Sequence, residues 1–295
     1  MFVAGGDLEI LVSVVICTKD RLEDPVRCIE SLLCQTRLPD EIVIIDASGG
    51  DQLKKRIEET FAASRVPLVY KHSKPGLTYQ RNVSLGVLRG EVVFFFDDDV
   101  VLEPDFLAEI LRVFENDVTG QVGGVMGRIV NLPHRRWLLN LYCRVFCLSR
   151  PGNGRFLRSG LATFPCNKDG EVLATDFLSG GITAYHQRVL KEFSWDESLE
   201  GYALMEDADF SYRVSRRFRN YYVPAARCSH YPSPIGGDRV EKLRRTRFRN
   251  HRYLFEKNMP KSLINWFAFW LAVIGTGLLF LYGDVVRWFR PKKLV

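Results

Sequence analysis

The 295-residue sequence lacks several motifs that would assign a function at once. No G-x-G-x-x-G or G-x-x-x-x-G-K-[ST] follows its first predicted strand, which argues against NAD binding and against P-loop ATP chemistry. Its seven cysteines do not have the spacing of a zinc ribbon. The N-terminus shows no basic segment followed by a cleavable apolar one. We therefore expect reduced cysteines and a cytoplasmic location for most of the chain.

Basic residues are concentrated in one C-terminal stretch. Residues 1–238 hold 28 Lys and Arg against 32 Asp and Glu, whereas residues 239–261 hold nine against two. Because the large N-terminal part is mildly acidic, we predict no nucleic-acid partner for it. With 46% hydrophobic and 26% charged residues, the chain has the composition of a globular protein. It is long enough to bury a core around a small-molecule site.

The segment Ser262–Gly283 contains no charged residue. A helix of that length crosses a hydrocarbon layer of roughly 30 Å. Trp266 and Tyr282 lie near its two ends, as interfacial aromatic residues often do. The positive-inside rule then places the N-terminal part in the cytoplasm, with the basic stretch against anionic lipid heads. The alternative is a buried core helix or an interfacial helix.

This pattern predicts a single-pass membrane protein of four parts. They are a large N-terminal domain (1–238), a basic juxtamembrane helix (239–261), a transmembrane helix (262–283) and a short basic tail (284–295). A second candidate membrane contact is Arg135–Arg150, where apolar residues follow a helical period between basic ends. Packing against the core is the alternative for that segment.

Apolar, β-branched runs alternate with helical patterns over the first 130 residues. The runs cover 12–17, 41–45, 66–70 and 91–96, and the helical patterns cover 24–35, 51–63 and 77–89. This alternation predicts an α/β fold, with a mostly parallel sheet flanked by helices. Because ligands bind beyond the carboxyl ends of such strands, the polar residues that follow each run are the candidates for a site.

Three consecutive carboxylates, Asp97, Asp98 and Asp99, follow the fourth run. The first and third point to the same side of a strand, and their mutual repulsion would be relieved by a cation. Carboxylate oxygens suit Mg²⁺ or Mn²⁺, which commonly bridge to phosphate oxygens. The alternative is that an aspartate caps the helix predicted after Pro104.

A second acidic group, Glu206-Asp207-Ala208-Asp209, begins a predicted helix. The positive end of a helix dipole favours acidic residues at that place, so capping is one explanation. The functional interpretation is that Asp207 or Glu206 acts as a general base toward a bound hydroxyl.

Six ordered blocks resemble the inverting glycosyltransferases of family 2, whose fold is called GT-A. They are VSVVICTKDR (12–21), EIVIIDASGGD (41–51), QRN (80–82), FFFDDDV (94–100), LSGGITAYHQRVL (178–190) and MEDADFSYRV (205–214). The resemblance as a whole covers about residues 12–260. The resemblance implies a nucleotide-diphosphate sugar as donor and transfer to an acceptor hydroxyl.

The resemblance also implies roles for individual residues. The donor pocket would be formed by Thr18, Lys19, Arg21, Asp46, Arg81, Asp97 and Asp98. Asp97 and Asp99 would hold Mg²⁺ or Mn²⁺, and His230 resembles a late histidine that completes the metal shell in some relatives. Asp207 would be the catalytic base. The donor sugar and the acceptor would be lined by Ser179, Gly180, Gly181 and Glu206.

Two departures from the family pattern bear on specificity. The chain reads I-D-A-S-G at 45–49 where many relatives read V-D-D-G-S, which leaves the nucleotide base open. The Q-x-x-R-W signature of processive synthases is absent, which favours transfer of a single sugar. We expect the acceptor to be a membrane lipid or a lipid-linked glycan of a cell-envelope polysaccharide. The alternatives are a subunit of a processive synthase, a non-catalytic protein that binds nucleotide sugar at the membrane, and a soluble nucleotidyltransferase.

Overall fold

The computed structural model describes residues 10–132, 137–165, 170–232 and 237–288, and the chain packs as two compact units. The first unit comprises residues 1–132 and 167–236, and the second comprises 133–166 and 237–295. The second unit is therefore discontinuous in sequence.

All strands lie in the first unit, and the helices are divided between the two. The strands are β1 (Val12–Thr18), β2 (Glu41–Asp46), β3 (Leu68–His72), β4 (Val92–Asp97), β5 (Val100–Leu102), β6 (Val122–Ile129), β7 (Leu173–Thr175), β8 (Ile182–His186) and β9 (Arg219–His230). The helices are α1 (Glu23–Leu33), α2 (Gln52–Thr60), α3 (Leu77–Ser84), α4 (Phe106–Glu115), α5 (Trp137–Val145), α6 (Gln187–Glu192), α7 (Glu206–Ser215), α8 (Gly237–Asn258) and α9 (Leu263–Trp288).

The alternation predicted for the first 130 residues is confirmed by β1 to β4 and α1 to α3. The apolar side chains of β1, β2 and β4 are buried, as expected for strands that are covered on both faces. Helix α3 ends at Ser84, earlier than predicted. The chain then turns toward Gly90, which packs so closely against the backbone of Ser13 that a side chain there would overlap it.

The strands form one mixed sheet in the order β3-β2-β1-β4-β8-β6-β9-β5, with β7 paired to β9. The first four strands of that order are parallel, as predicted. Beyond β4 the sheet is mixed, because β8 pairs antiparallel with both β4 and β6, whereas β6 and β9 are parallel.

The three carboxylates after β4 lead into a strand and not into a helix. Asp98 and Asp99 form a turn into β5, and α4 begins only at Phe106, after Asp105. The alternative that one of the triplet caps a helix is therefore wrong. The three aspartates lie at the carboxyl end of β4 and in the turn that follows it, where side chains can converge on a ligand.

The second unit contains α5, α8 and α9. Helix α5 lies inside the predicted segment Arg135–Arg150, and the first two residues of that segment lie outside the described residues. Helix α9 contains the predicted apolar segment. Within the described part of the chain, α9 is the one helix long and apolar enough to cross a membrane, with a mean hydropathy of 1.9 over Leu263–Gly283. The predicted tail lies outside the described residues from 289 onward.

Candidate active site

The carboxyl ends of three parallel strands meet at one edge of the sheet. Thr18 at the end of β1 is in register with Asp46 at the end of β2, and Cys17 is in register with Asp97 at the end of β4. The polar residues that follow these strands are therefore neighbours in space, although they are far apart in sequence.

The pairing of β5 with β9 brings a histidine to the acidic triplet. Val100 is opposite His230 in this antiparallel pair, and the Tyr231 amide donates to the Asp99 carbonyl over 2.9 Å. His230 Nε2 consequently lies 2.9 Å from Asp99 Oδ1. One ligand atom from each of Asp97, Asp99 and His230 falls within 4.8 Å of the others. Two carboxylates and an imidazole suit a divalent cation such as Mn²⁺ or Mg²⁺.

The contact between Asp99 and His230 shifts the pKa values of these two side chains in opposite directions. Burial raises the pKa of Asp99, but hydrogen bonds from His230 and Arg21 outweigh it and hold the pKa below its ordinary value. The hydrogen bond to Asp99 raises the pKa of His230, against the effect of burial. The imidazolium form of His230 and the carboxylate form of Asp99 therefore stabilise each other.

Asp98 lies in the turn after β4, and its carboxylate shares Arg21 with the carboxylate of Asp99. It accepts hydrogen bonds from Thr18 Oγ1 over 2.6 Å and from Arg21 Nη1 over 2.5 Å. Arg21 also donates to Asp99 Oδ2 over 2.7 Å. Burial raises the pKa of Asp98 to about 7, against the effects of Thr18 and Arg21. Asp98 thus joins the end of β1 to the turn that carries the candidate metal ligands.

Arg81 of α3 is buried and connects three parts of the site. Its Nη1 donates to Glu206 Oε1 over 2.6 Å, its Nη2 donates to the Gly180 carbonyl over 2.9 Å, and Asp97 Oδ1 lies 3.6 Å away. Burial raises the pKa of Glu206 to about 7, despite the guanidinium of Arg81. A side chain at Gly180 would come within 2.5 Å of Glu206 Oε1, so this glycine permits the close approach.

Asp207 lies in the first turn of α7, facing the turn that precedes β8. Its Oδ1 accepts from the Ala208 amide over 2.8 Å, and its Oδ2 lies 3.4 Å from the Gly180 amide. Burial raises the pKa of Asp207 in spite of these two amides. The residue before the helix, Met205, has a left-handed φ of 74°, a costly conformation that aims the first turn of α7 at this place.

The turn before β8 touches both acidic groups. The Asp97 amide donates to the Gly181 carbonyl over 3.1 Å, and a side chain on Gly181 would overlap the Asp97 carboxylate. The neighbouring Gly180 amide faces Asp207. The predicted residues Ser179, Gly180 and Gly181 therefore lie between the candidate metal ligands and the candidate base.

Lys19 and Asp46, which were predicted to bind the donor, differ in their surroundings. Lys19 is exposed and pairs with Asp20 over 2.8 Å. Asp46 is completely buried, and its oxygens accept hydrogen bonds from the Tyr70 hydroxyl and from the amide and hydroxyl of Ser48. Asp46 thus orders the turn that follows β2.

Two contributors to this edge, Tyr70 and Gln80, were not singled out individually from the sequence. Tyr70 and Ser48 hold Asp46, and Gln80 Nε2 donates to the carbonyls of Thr18 and Ile45 over 3.0 and 2.8 Å. Gln80 belongs to the block QRN, so the motif was a signal for it. Nothing in the sequence pattern marked Tyr70, because its partner lies on the neighbouring strand.

Both a family model and a known protein of similar sequence relate this chain to glycosyltransferases. The protein-family model described as Glycosyl transferase family 2 matches residues 13–192. The glucosyl-dolichyl phosphate glucuronosyltransferase of Haloferax volcanii is 33% identical over 119 residues, which are 39% of this chain and 38% of that protein. The match thus spans about two fifths of that relative's length.

Two solved structures share the fold at low sequence identity. A mannosyltransferase from Pyrobaculum calidifontis, solved with GDP-Man and Mn²⁺, has a TM-score of 0.59 and 15% identity, and covers 96% of this chain and 81% of its own. GalNAc-T7, solved with UDP, GalNAc and Mn²⁺, has a TM-score of 0.58 and 15% identity over 83% of this chain and 50% of its own. The fold is therefore GT-A. Since the family model also matches more than half of the chain, the protein belongs to glycosyl transferase family 2.

Proposed function

We propose that the protein transfers one sugar from a nucleotide-diphosphate sugar to an acceptor hydroxyl, with inversion at the anomeric carbon. One observation carries this proposal. The turn Ser179–Gly181 contacts Asp97 on one side and Asp207 on the other, so a sugar beside it would have metal ligands near its diphosphate and a carboxylate near its opposite face.

The donor's diphosphate would bind at the Asp97, Asp99 and His230 cluster through Mg²⁺ or Mn²⁺. When bound, such a cation neutralises the charge that develops on the leaving diphosphate. The two solved relatives described above contain a nucleotide or nucleotide sugar together with Mn²⁺, which supports this choice of ligand.

The nucleotide would lie across the ends of β1 and β2. Lys19 and Arg21 supply positive charge there, and Thr18 holds Asp98 in place. Asp46 would order the turn that lies beneath the nucleotide's base, because its own carboxylate oxygens are already hydrogen-bonded. Arg81 would fix the position of Asp97 and Glu206 relative to the donor.

Asp207 would accept the proton from the acceptor hydroxyl as that oxygen forms its bond to the anomeric carbon. The bond from the anomeric carbon to the diphosphate oxygen breaks in the same displacement, and the nucleoside diphosphate leaves. The raised pKa of Asp207 makes it a better proton acceptor than an exposed aspartate, while the two nearby amides keep it oriented. Glu206 would border the acceptor.

The acceptor is proposed to be a membrane lipid or a lipid-linked glycan. The relative from Haloferax volcanii is named for a glucosyl-dolichyl phosphate, which is lipid-linked. The second unit carries the apolar helix α9 next to a basic helix, and we propose that it holds the protein at the membrane. The basic stretch at 239–261 favours the cytoplasmic side for the catalytic unit.

Binding of candidate donors to the detergent-solubilised full chain tests this function. UDP-, GDP- and dTDP-sugars are titrated with and without Mn²⁺ against wild type, Asp99→Ala and the control Glu115→Ala, which removes an exposed carboxylate of α4. We expect one donor class to bind in a Mn²⁺-dependent manner, with binding lost only in Asp99→Ala. Mn²⁺-independent binding that Asp99→Ala retains would contradict the metal assignment, and no binding of any donor would contradict the proposed donor site.

A further inference from the structure

A strongly basic helix accompanies the apolar helix of the second unit. The ring centroids of Phe248 and Phe280 are 5.7 Å apart near the end of the apolar segment, and those of Phe255 and Trp266 are 4.8 Å apart near its start. Arg244 of α8 also lies over the Phe280 ring at 4.9 Å. Helices α8 and α9 are therefore antiparallel neighbours along most of the apolar segment.

This pairing conflicts with a transmembrane position for α9. If α9 crossed the bilayer, α8 would accompany it through the hydrocarbon. Among the side chains of α8 whose exposure is described, five are basic and exposed: Lys242, Arg245, Arg249, Arg252 and Lys257. Charged side chains inside a bilayer are costly and normally face a protein interior or a water-filled cavity. Five that are exposed on one helix satisfy neither condition.

Helix α9 has one exposed apolar stripe, as a helix lying in a membrane surface has. The exposed residues follow a spacing of three or four: Phe267, Trp270, Ile274, Leu278 and Leu281. The opposite face is buried within the unit: Asn265, Ala268, Ala272, Gly275 and Thr276. The stripe runs the length of the apolar segment and leaves large apolar side chains in contact with solvent.

Helix α5 adds a second exposed apolar surface to the same unit. Trp137 is 71% exposed, and Leu138, Leu141 and Val145 are also exposed. The other side of α5 is fixed to α9, because the Tyr142 hydroxyl donates to the Gly275 carbonyl over 2.7 Å. At Gly275 a side chain would overlap Phe146, so the two helices pack closely.

A positively charged cavity lies at the end of α5. Its volume is about 500 Å³. It is lined by Arg144, Arg150, Pro151, Gly152, Asn153, Arg155 and Thr163, and none of these lining residues is acidic. Two of the lining residues are hydrogen-bonded to each other. The Arg155 amide donates to Thr163 Oγ1 over 2.8 Å, and the Thr163 amide donates to the Arg155 carbonyl over 2.9 Å. Three guanidinium groups beside an exposed apolar helix match the phosphate of a lipid head group.

We propose that the second unit lies flat on an anionic membrane surface. In this arrangement the stripe of α9 and the exposed face of α5 insert at the boundary of head groups and acyl chains. The basic side chains of α8 and the arginine-lined cavity bind lipid phosphates, and α9 does not cross the bilayer. The inference goes beyond the transferase function and does not depend on it.

The position of the C-terminus distinguishes this arrangement from a span. The full chain with a C-terminal epitope tag is expressed in bacteria, and protease is added to intact spheroplasts and to sealed inverted vesicles. We expect the catalytic unit and the tag to be digested together in the inverted vesicles and to be protected together in spheroplasts. Digestion of the tag alone in spheroplasts would establish a crossing and overturn the proposal.

Flotation with vesicles tests the lipid chemistry. The purified full chain is mixed with phosphatidylcholine vesicles that contain or lack phosphatidylglycerol. We expect binding to be stronger with phosphatidylglycerol and to fall about tenfold or more in Arg144→Gln/Arg150→Gln, since each basic residue contributes to attraction near the surface. The matched control, Arg56→Gln/Arg112→Gln, removes two exposed arginines of the first unit. Equal binding to both vesicle types, or an equal loss in the control, would refute the lipid-phosphate site.

Discussion

Arg81 and Glu206 form an ion pair with almost no access to water. The side chains are 3% and 7% exposed, and their closest atoms are 2.6 Å apart. A buried charge that loses its partner destabilises a protein by about 3–5 kcal/mol, whereas loss of both partners is far less costly. Arg81 therefore stabilises the site by compensating a carboxylate that the fold has already buried.

We predict that Arg81→Gln lowers the free energy of unfolding by about 3–5 kcal/mol. The double variant Arg81→Gln/Glu206→Gln should recover a large part of that loss, because it removes the uncompensated charge. Chemical denaturation of wild type, both single variants and the double variant forms a complete cycle. Additive effects of the two substitutions would show that the pair is not coupled.

Asp207 gives a second prediction at the scale of a residue. Asp207→Asn keeps the size of the side chain and its position against the Ala208 amide, but it removes the basicity. We expect donor binding and melting temperature to stay near wild type, while kcat falls by about 10²–10⁴-fold, the usual share of a general base. Asp105→Asn, an exposed substitution before α4, serves as the control. Wild-type turnover in Asp207→Asn would remove Asp207 from the mechanism.

At the scale of elements, the site depends on how closely the turn before β8 approaches the end of β4. No side chain separates the two, since Gly181 lies directly against the Asp97 carboxylate. The Asp97 amide also donates to the Gly181 carbonyl over 3.1 Å. A methyl group at Gly181 must therefore displace the carboxylate of Asp97 or the turn itself.

We predict that Gly181→Ala weakens Mn²⁺-dependent donor binding at least tenfold and destabilises the fold by about 1–3 kcal/mol, as overpacking does. Isothermal titration with the donor and thermal melting measure the two effects. Gly86→Ala, in the turn after α3, is the matched control, because the atom that it would add makes only an ordinary contact of 3.8 Å with the Val83 carbonyl oxygen. Donor affinity that is unchanged in Gly181→Ala would mean that Asp97 does not need its observed position.

The sequence predicted the individual strands better than it predicted which strands pair with each other. The strands β1, β2 and β4 could be predicted because each is an apolar run that ends in polar residues. The place of His230 beside Asp99 could not be derived from those runs, because it depends on the pairing of two strands separated by more than a hundred residues. Resemblance to a family suggested His230 as a metal ligand, and the register of β5 with β9 gives the physical basis for its position beside Asp99.

At the scale of the whole molecule, composition predicted the basic and apolar C-terminal segments but not how they pack. Treated separately, residues 239–261 and 262–283 are a juxtamembrane helix and a span. In the structure α8 and α9 are packed together in a unit that also includes α5. Hydropathy evaluates each segment as if lipid surrounded it, so it could not reveal that one face of α9 is covered by protein.

A buried histidine joins the parts of this second unit. His251 of α8 is 3% exposed, its Nε2 lies 2.7 Å from the Ser159 carbonyl, and its ring packs 4.8 Å from that of Phe269 in α9. Burial lowers the pKa of His251 to about 4, against the hydrogen bond to Ser159 and with a further contribution from Arg247. The neutral imidazole is therefore the form that the folded unit holds.

Stability should consequently fall as the pH falls below the ordinary histidine pKa of about 6.5, because the unfolded chain then binds a proton that the folded chain does not. The loss from His251 reaches about 2 kcal/mol at pH 5 and levels off below pH 4. Melting temperatures of the full chain in detergent, measured between pH 7.5 and 5, should decline more in wild type than in His251→Gln, whose amide can still donate to Ser159. His72→Gln, at an exposed histidine, should follow wild type. Parallel curves for wild type and His251→Gln would mean that this histidine does not control the acid sensitivity of the unit.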